Sequence, residues 1–237
     1  MENELLKDIV EWDTHNWGRA LDFWDEHARA IAEQNESFTV LDLGAGGGGL
    51  SLYWALLGGS VLCTDWSGDF QKARALHEKH GMSDRVRYEN LNAASISFPY
   101  EEAFDVVTFK SVLGGVGHQD NFYNQVLMFE NIYKALKPGG WLFCCENLVA
   151  SPLHMLGRKL FTDRVGGWRY VTVPEVLGLA DRFELVDYTT LGVAGVFGRN
   201  ELASAAFSAL DRKFDWMISP KNRYIISAVF RKPKGLV

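Results

Sequence analysis

Asp42, the glycines Gly44, Gly46, Gly47, Gly48 and Gly49, and Asp65 about 20 residues further on form the pattern with the most chemical content in this 237-residue chain. Closely spaced glycines let the backbone turn tightly and approach a ligand, and a helix that starts there presents free N–H groups. An acid at the tip of the following strand can accept hydrogen bonds from both hydroxyls of a ribose. The unit therefore predicts an adenosine-bearing cofactor.

Two cofactors compete for such a site. Gly44, Gly46 and Gly49 satisfy the dinucleotide pattern G-x-G-x-x-G, which keeps a nicotinamide-dependent oxidoreductase open. Asp42 points the other way, because a carboxylate inside an apolar strand is costly without a partner. The ammonium of a methionine moiety, direct or through water, supplies one, whereas a pyrophosphate would be repelled. The alternative for Asp42 is a cap on the turn, bonding main-chain N–H groups.

The elements that position these residues are legible in the apolar pattern. Phe38 to Leu43 reads as a buried parallel strand, Leu50 to Leu57 as a helix and Val61 to Thr64 as the second strand. A third strand, Arg85 to Glu89, leads into Leu91-Asn92-Ala93, where an amide oxygen and a main-chain N–H could read an adenine edge. Phe104 to Phe109 is a fourth strand opening onto Lys110-Ser111-Val112-Leu113. A helix ends near Leu136, Lys137-Pro138-Gly139-Gly140 turns the chain, and Trp141 to Glu146 is the fifth strand. A helix near Pro174 to Ala180 and strands at Phe183 to Thr190 and Tyr224 to Arg231 complete an α/β pattern.

In this order and spacing the chain resembles the class I S-adenosylmethionine-dependent methyltransferases. The resemblance rests on Asp42-Leu43-Gly44-Ala45-Gly46-Gly47-Gly48, on Asp65, on Asn92-Ala93, on Phe104-Asp105-Val106-Val107 and on Leu136-Lys137-Pro138-Gly139-Gly140. It implies a Rossmann-like, seven-stranded, mostly parallel sheet with an antiparallel last strand. It also implies cofactor contacts from Asp42, Gly44, Ala45, Gly46, Asp65 with Trp66, Asn92, Ala93, Lys110 and Ser111. The product would be S-adenosylhomocysteine. The family commonly has Asp where this chain has Asn92, which keeps an acceptor oxygen. Trp17 to Trp24, Phe109 to Gly115, Glu146 to His154 and Trp168 to Thr172 look like a bacterial subgroup of polysaccharide or small-molecule biosynthesis.

Residues 1–37 then read as a helical cover, 38–147 as the cofactor core and 148–237 as substrate segment, lid and final strands of a single domain. A helical insertion at Ala203 to Trp216 is expected to form the lid. Methyl transfer requires in-line approach, desolvation and, for a hydroxyl acceptor, a base. Candidate bases are Glu146, His118 and His154; Trp17, Arg158, Arg169 and Tyr170 are candidate contacts for the acceptor.

A formal net charge of −6 argues against a phosphate-tracking surface, so a nucleic-acid acceptor is not expected. The acidic start and the absence of a long apolar run predict neither a secretory signal nor a transmembrane segment. Cys63, Cys144 and Cys145 show no metal-ligand spacing and read as reduced buried thiols in a cytoplasmic protein. The expected activity is methyl transfer to an oxygen or nitrogen of a small molecule, first a sugar or glycan precursor. The alternatives are an NAD-dependent oxidoreductase and a non-catalytic cofactor-binding module.

Overall fold

The computed structural model describes residues 3–161, 167–194, 207–209, 211–213 and 215–235. Helices α1 (Asn3–Val10) and α2 (Thr14–Gln34) precede β1 (Thr39–Leu43), α3 (Gly49–Leu56), β2 (Ser60–Asp65), α4 (Gln71–Lys79), β3 (Val86–Asn90) and β4 (Phe104–Lys110). Then follow α5 (Leu113–Val116), α6 (Phe122–Ala135), β5 (Leu136–Asn147), α7 (Pro152–Phe161), α8 (Val173–Leu179), β6 (Glu184–Leu191) and β7 (Ile225–Arg231). The seven strands lie in the order β3-β2-β1-β4-β5-β7-β6, and β7 runs antiparallel to both neighbours.

Alternating side chains divide the sheet between two apolar layers. Val40, Cys63, Val106, Phe143 and Cys145 face α1, α2 and α3; Leu41, Val107, Phe109, Leu142 and Cys144 face α6 and α8. The adjacent cysteines therefore point to opposite faces, both as buried free thiols. Trp24 and Trp54 pack on Phe143 with ring centroids 5.6 and 5.0 Å away, fixing α2 and α3 on one layer. At Gly49 a Cβ would lie 2.0 Å from the carbonyl oxygen of Ile9, so only glycine lets α1 reach α3 this closely.

Register brings the carboxyl ends of five strands, β1 to β5, to one edge. Asp42 lies between Cys63 and Thr108, Asp65 opposes Asn90, Lys110 opposes Cys145, and Asn147 meets Ile225 at the start of β7. This is the carboxyl edge at the switch in strand order, where open α/β sheets bind ligands.

Two expected features take a different form. Lys137-Pro138-Gly139-Gly140 is a bulge inside a longer β5 rather than a turn before it. Leu136 pairs with Phe104 and Trp141 with Val106, and Gly139 adopts a positive φ of 78° to absorb the extra residues. The expected lid helix lies partly outside the described residues; those described are helical at 207–209 and 211–213 and form a 3₁₀ turn at Asp215–Met217.

Candidate functional site

The glycine turn is built by three residues in the left-handed region, Gly44 (φ 64°), Gly46 (φ 54°) and Gly48 (φ 86°). Ala45 N–H donates to the Thr64 carbonyl at 2.8 Å, which ties the turn to the tip of β2. Asp65 accepts the Gly46 N–H at 3.2 Å through one carboxylate oxygen and both Ser67 donors through the other. A Cβ on Gly46 would meet nothing within 4 Å, whereas one on Gly44 would lie 2.7 Å from Val112 Cγ2. The turn is thus packed from below and open above Gly46, a cradle with a carboxylate at its rim that fits a nucleoside with an amino-acid tail.

Asp42 is only 1% exposed and accepts the Ser51 hydroxyl at 2.7 Å. Burial pushes its carboxyl up to about 7, while hydrogen bonds from Ser51 and the charge of Lys110 oppose the rise. Asp42 therefore ties the end of β1 to α3. Lys110 lies across the same edge. Its ammonium donates to the Val10 carbonyl at 3.2 Å and sits 5.1 and 5.0 Å from the ring centres of Trp12 and Trp17. Burial lowers its pKa against the pull of Glu11, Asp42 and Glu146. Trp17 is wholly buried beside it.

Glu146 is wholly buried, and its acceptors are taken by the main chain: Val112 and Leu113 N–H at 2.8 and 2.7 Å, and Asn147 N–H at 2.8 Å. Its carboxyl is also pushed up to about 7 by burial, partly offset by these bonds. Asn147 donates to the Ser111 hydroxyl at 2.6 Å, and Ser111 adopts φ 58°. The end of β5 therefore fixes the loop after β4, and that loop delivers Val112 to Gly44.

The third strand tip carries the expected adenine loop. Asn92 is exposed and its side chain accepts the Ala94 N–H at 2.9 Å, while Ala93 is buried. Asn131 on α6 holds this loop by donating to the carbonyls of Ala93 and Ser95, both at 2.9 Å. Trp66 stands 78% exposed beyond Asp65. Neither Asn131 nor Ser51 is foreseen from the sequence, since each is a polar residue within a helical pattern; their burial is the signal, visible only in three dimensions.

The remaining candidates are spread out. His154 has both ring nitrogens engaged, with Ser151 Oγ and the Val193 carbonyl at 2.7 Å each, and burial lowers its pKa. His118 is exposed and packs on the backbone of Gly167. Arg158 donates to the Leu148 carbonyl at 2.8 Å and stacks 3.8 Å above the Tyr170 ring. Arg169 bonds Asp120, Gln125 and Glu175, which fastens the 167–171 segment to α6 and α8. Its neighbour Trp168 covers Gly114, where a Cβ would come 1.7 Å from the indole nitrogen. Among the described residues no cluster of His, Cys, Asp and Glu could hold a metal ion, and no helix is long and apolar enough to cross a membrane.

Comparison with known proteins agrees with this geometry. Residues 41–144, from β1 into β5, match the family model described as a methyltransferase domain. A ubiquinone biosynthesis O-methyltransferase of Hydrogenovibrio crunogenus is 33% identical over 108 residues, which cover 46% of this chain and 42% of the relative. A tRNA 5-carboxymethoxyuridine methyltransferase of Escherichia coli is 26% identical over 151 residues, 60% of this chain and 56% of the relative. The chain thus spans about half the length of these curated relatives. The fold is shared with a 1,6-didemethyltoxoflavin-N1-methyltransferase of Burkholderia thailandensis, solved with 1,6-didemethyltoxoflavin and S-adenosylhomocysteine bound (TM-score 0.54, 18% identity, 87% of this chain and 77% of that one). Residues 41–144 thus match a methyltransferase domain, and the strand order and glycine turn are those that the resemblance to the class I S-adenosylmethionine-dependent methyltransferases implies.

Proposed function

We propose that the chain transfers a methyl group from S-adenosylmethionine to an oxygen or nitrogen of a small molecule. The observation that carries this reading is the cradle above Gly46, with Asp65 at its rim and the Asn92-Ala93 loop on the next strand tip. Gly44, Ala45 and Gly46 would take the amino-acid tail, Asp65 the ribose, and Asn92 and Ala93 the adenine, with Trp66 alongside. The cofactor, when bound, supplies an already activated methyl group. The chain's own part is to hold the acceptor in line and exclude water. Glu146 serves best as a positioning residue, since its oxygens hold the loop that carries Ser111 and Val112. His154 serves likewise, joining α7 to the Val193 segment.

Aromatic rings at Trp12, Trp168 and Tyr170 favour an acceptor with an aromatic or apolar body, as in the relative named for ubiquinone biosynthesis, over the sugar or glycan precursor, whereas Trp17, expected from the sequence to touch the acceptor, is a wholly buried core residue. The tRNA-directed relative keeps a nucleic-acid acceptor in the screen despite the net negative charge. Three free thiols favour the cytoplasm as the working compartment. The test is transfer of radiolabelled methyl from S-adenosylmethionine to phenols, amines, nucleotide sugars and tRNA. Labelling of a phenol or amine supports the reading; labelling of tRNA alone overturns the small-molecule acceptor, and labelling of nucleotide sugars alone restores the saccharide.

A further inference from the structure

Glu11, at the end of α1, stands over the turn although nothing in the glycine pattern calls for it. A Cβ on Gly47 would lie 1.8 Å from Glu11 Oε1, so the carboxylate rests directly on the main chain of the turn. The backbone holds it there. Glu11 adopts φ 66°, its N–H donates to the Lys7 carbonyl at 2.9 Å, and the preceding Val10 carbonyl is anchored by Lys110. The residue is exposed, beside the open space above Gly46. Asp42, the acid that the sequence pattern offers for the ammonium of the cofactor's amino-acid tail, is buried and accepts the Ser51 hydroxyl, whereas Glu11 is exposed.

We propose that Glu11 is the carboxylate that receives the α-ammonium of the bound cofactor's amino-acid tail, making the N-terminal segment part of the cofactor site. The inference rests on the reading of the cradle as an S-adenosylmethionine site. A primary ammonium is a strongly hydrated point charge, and entry into a half-enclosed cradle calls for an anionic acceptor. Glu11 is the carboxylate that meets this need from above the turn. The Glu11 charge also reaches Lys110, whose ammonium donates to the neighbouring Val10 carbonyl.

The test is calorimetric titration of wild type and Glu11→Gln with three probes. S-adenosylhomocysteine has the whole tail, its decarboxylated analogue keeps the ammonium alone, and 5′-methylthioadenosine lacks both charges. Glu11→Gln should weaken the first two about 10-fold or more, the effect of losing a charged hydrogen-bond partner, and leave the third within about 2-fold. Unchanged affinity for S-adenosylhomocysteine overturns the assignment. Equal weakening of all three overturns it as well, since Glu11 would then act only through the fold of the N-terminal segment. A wild type that binds none of the probes overturns the cofactor reading itself.

Discussion

The buried carboxylate of Glu146 accepts the main-chain N–H of Val112 at 2.8 Å, and through that bond the fifth strand sets the packing beneath the glycine turn. Glu146→Ala would leave three main-chain N–H donors, of Val112, Leu113 and Asn147, without their acceptor. A loss of about 2–5 kcal/mol in denaturant unfolding is expected, together with weaker S-adenosylhomocysteine binding. In Glu146→Gln the amide oxygen can keep the Val112 and Leu113 bonds while the amide nitrogen loses that of Asn147, so the stability loss is smaller. Turnover of Glu146→Gln at saturating cofactor should stay within a few-fold of wild type; a loss of 100-fold or more would return Glu146 to the role of base.

Asp65→Ala removes the carboxylate that holds Gly46 and that, in the proposed site, receives the ribose. Affinity for S-adenosylhomocysteine should fall by about 1.5–3 kcal/mol, the range for hydrogen bonds to a charged group. Stability should change little, since the residue is partly exposed. Calorimetry and a melting curve on the same sample separate the two effects.

Gly49→Ala places a methyl where the Ile9 carbonyl stands. The expected cost is about 1–3 kcal/mol, as for overpacking of a tight site, with α1 displaced from α3. Faster amide exchange confined to residues 3–12 would locate the damage in the cover. Loss spread evenly over the sheet would contradict a local contact.

Asp42 gives the chain a pH dependence of definite sign. Its carboxyl rises from an ordinary 3.8 to about 7 in the fold, so the folded chain holds an extra proton between those values. Its contribution to stability is greatest below about pH 4 and declines as pH rises towards 7, then levels off. Asp42→Asn should flatten that part of the curve when unfolding midpoints are measured from pH 4 to 8. An identical slope in both proteins would show that Asp42 does not change its proton affinity on folding.

The strand and helix order was legible because the apolar runs and glycine stops are local signals, and parallel strands buried on both faces leave little ambiguity. The turn from Lys137 to Gly140 was harder to read: Pro and paired Gly break a helix, but only pairing with β4 shows that the segment joins the sheet as a bulge. At the site, Asp42, the glycines and Asp65 are close in sequence and their spacing carries the chemistry. Glu11, Ser51, Asn131 and Asn147 reach it through tertiary contacts, and nothing in their neighbours marks them. Glu146 and His154 stood out as ionisable residues in suggestive positions, yet their hydrogen-bond partners come from distant or main-chain groups that a sequence does not display.

The central claim, an adenosine-bearing sulfonium cofactor held above Gly46 and beside Asp65, is tested most directly by calorimetric titration of the full chain with S-adenosylhomocysteine and, separately, with NAD. The account predicts saturable one-to-one binding of S-adenosylhomocysteine that Asp65→Ala weakens, and no heat of binding from NAD. Binding of NAD in place of S-adenosylhomocysteine would contradict it.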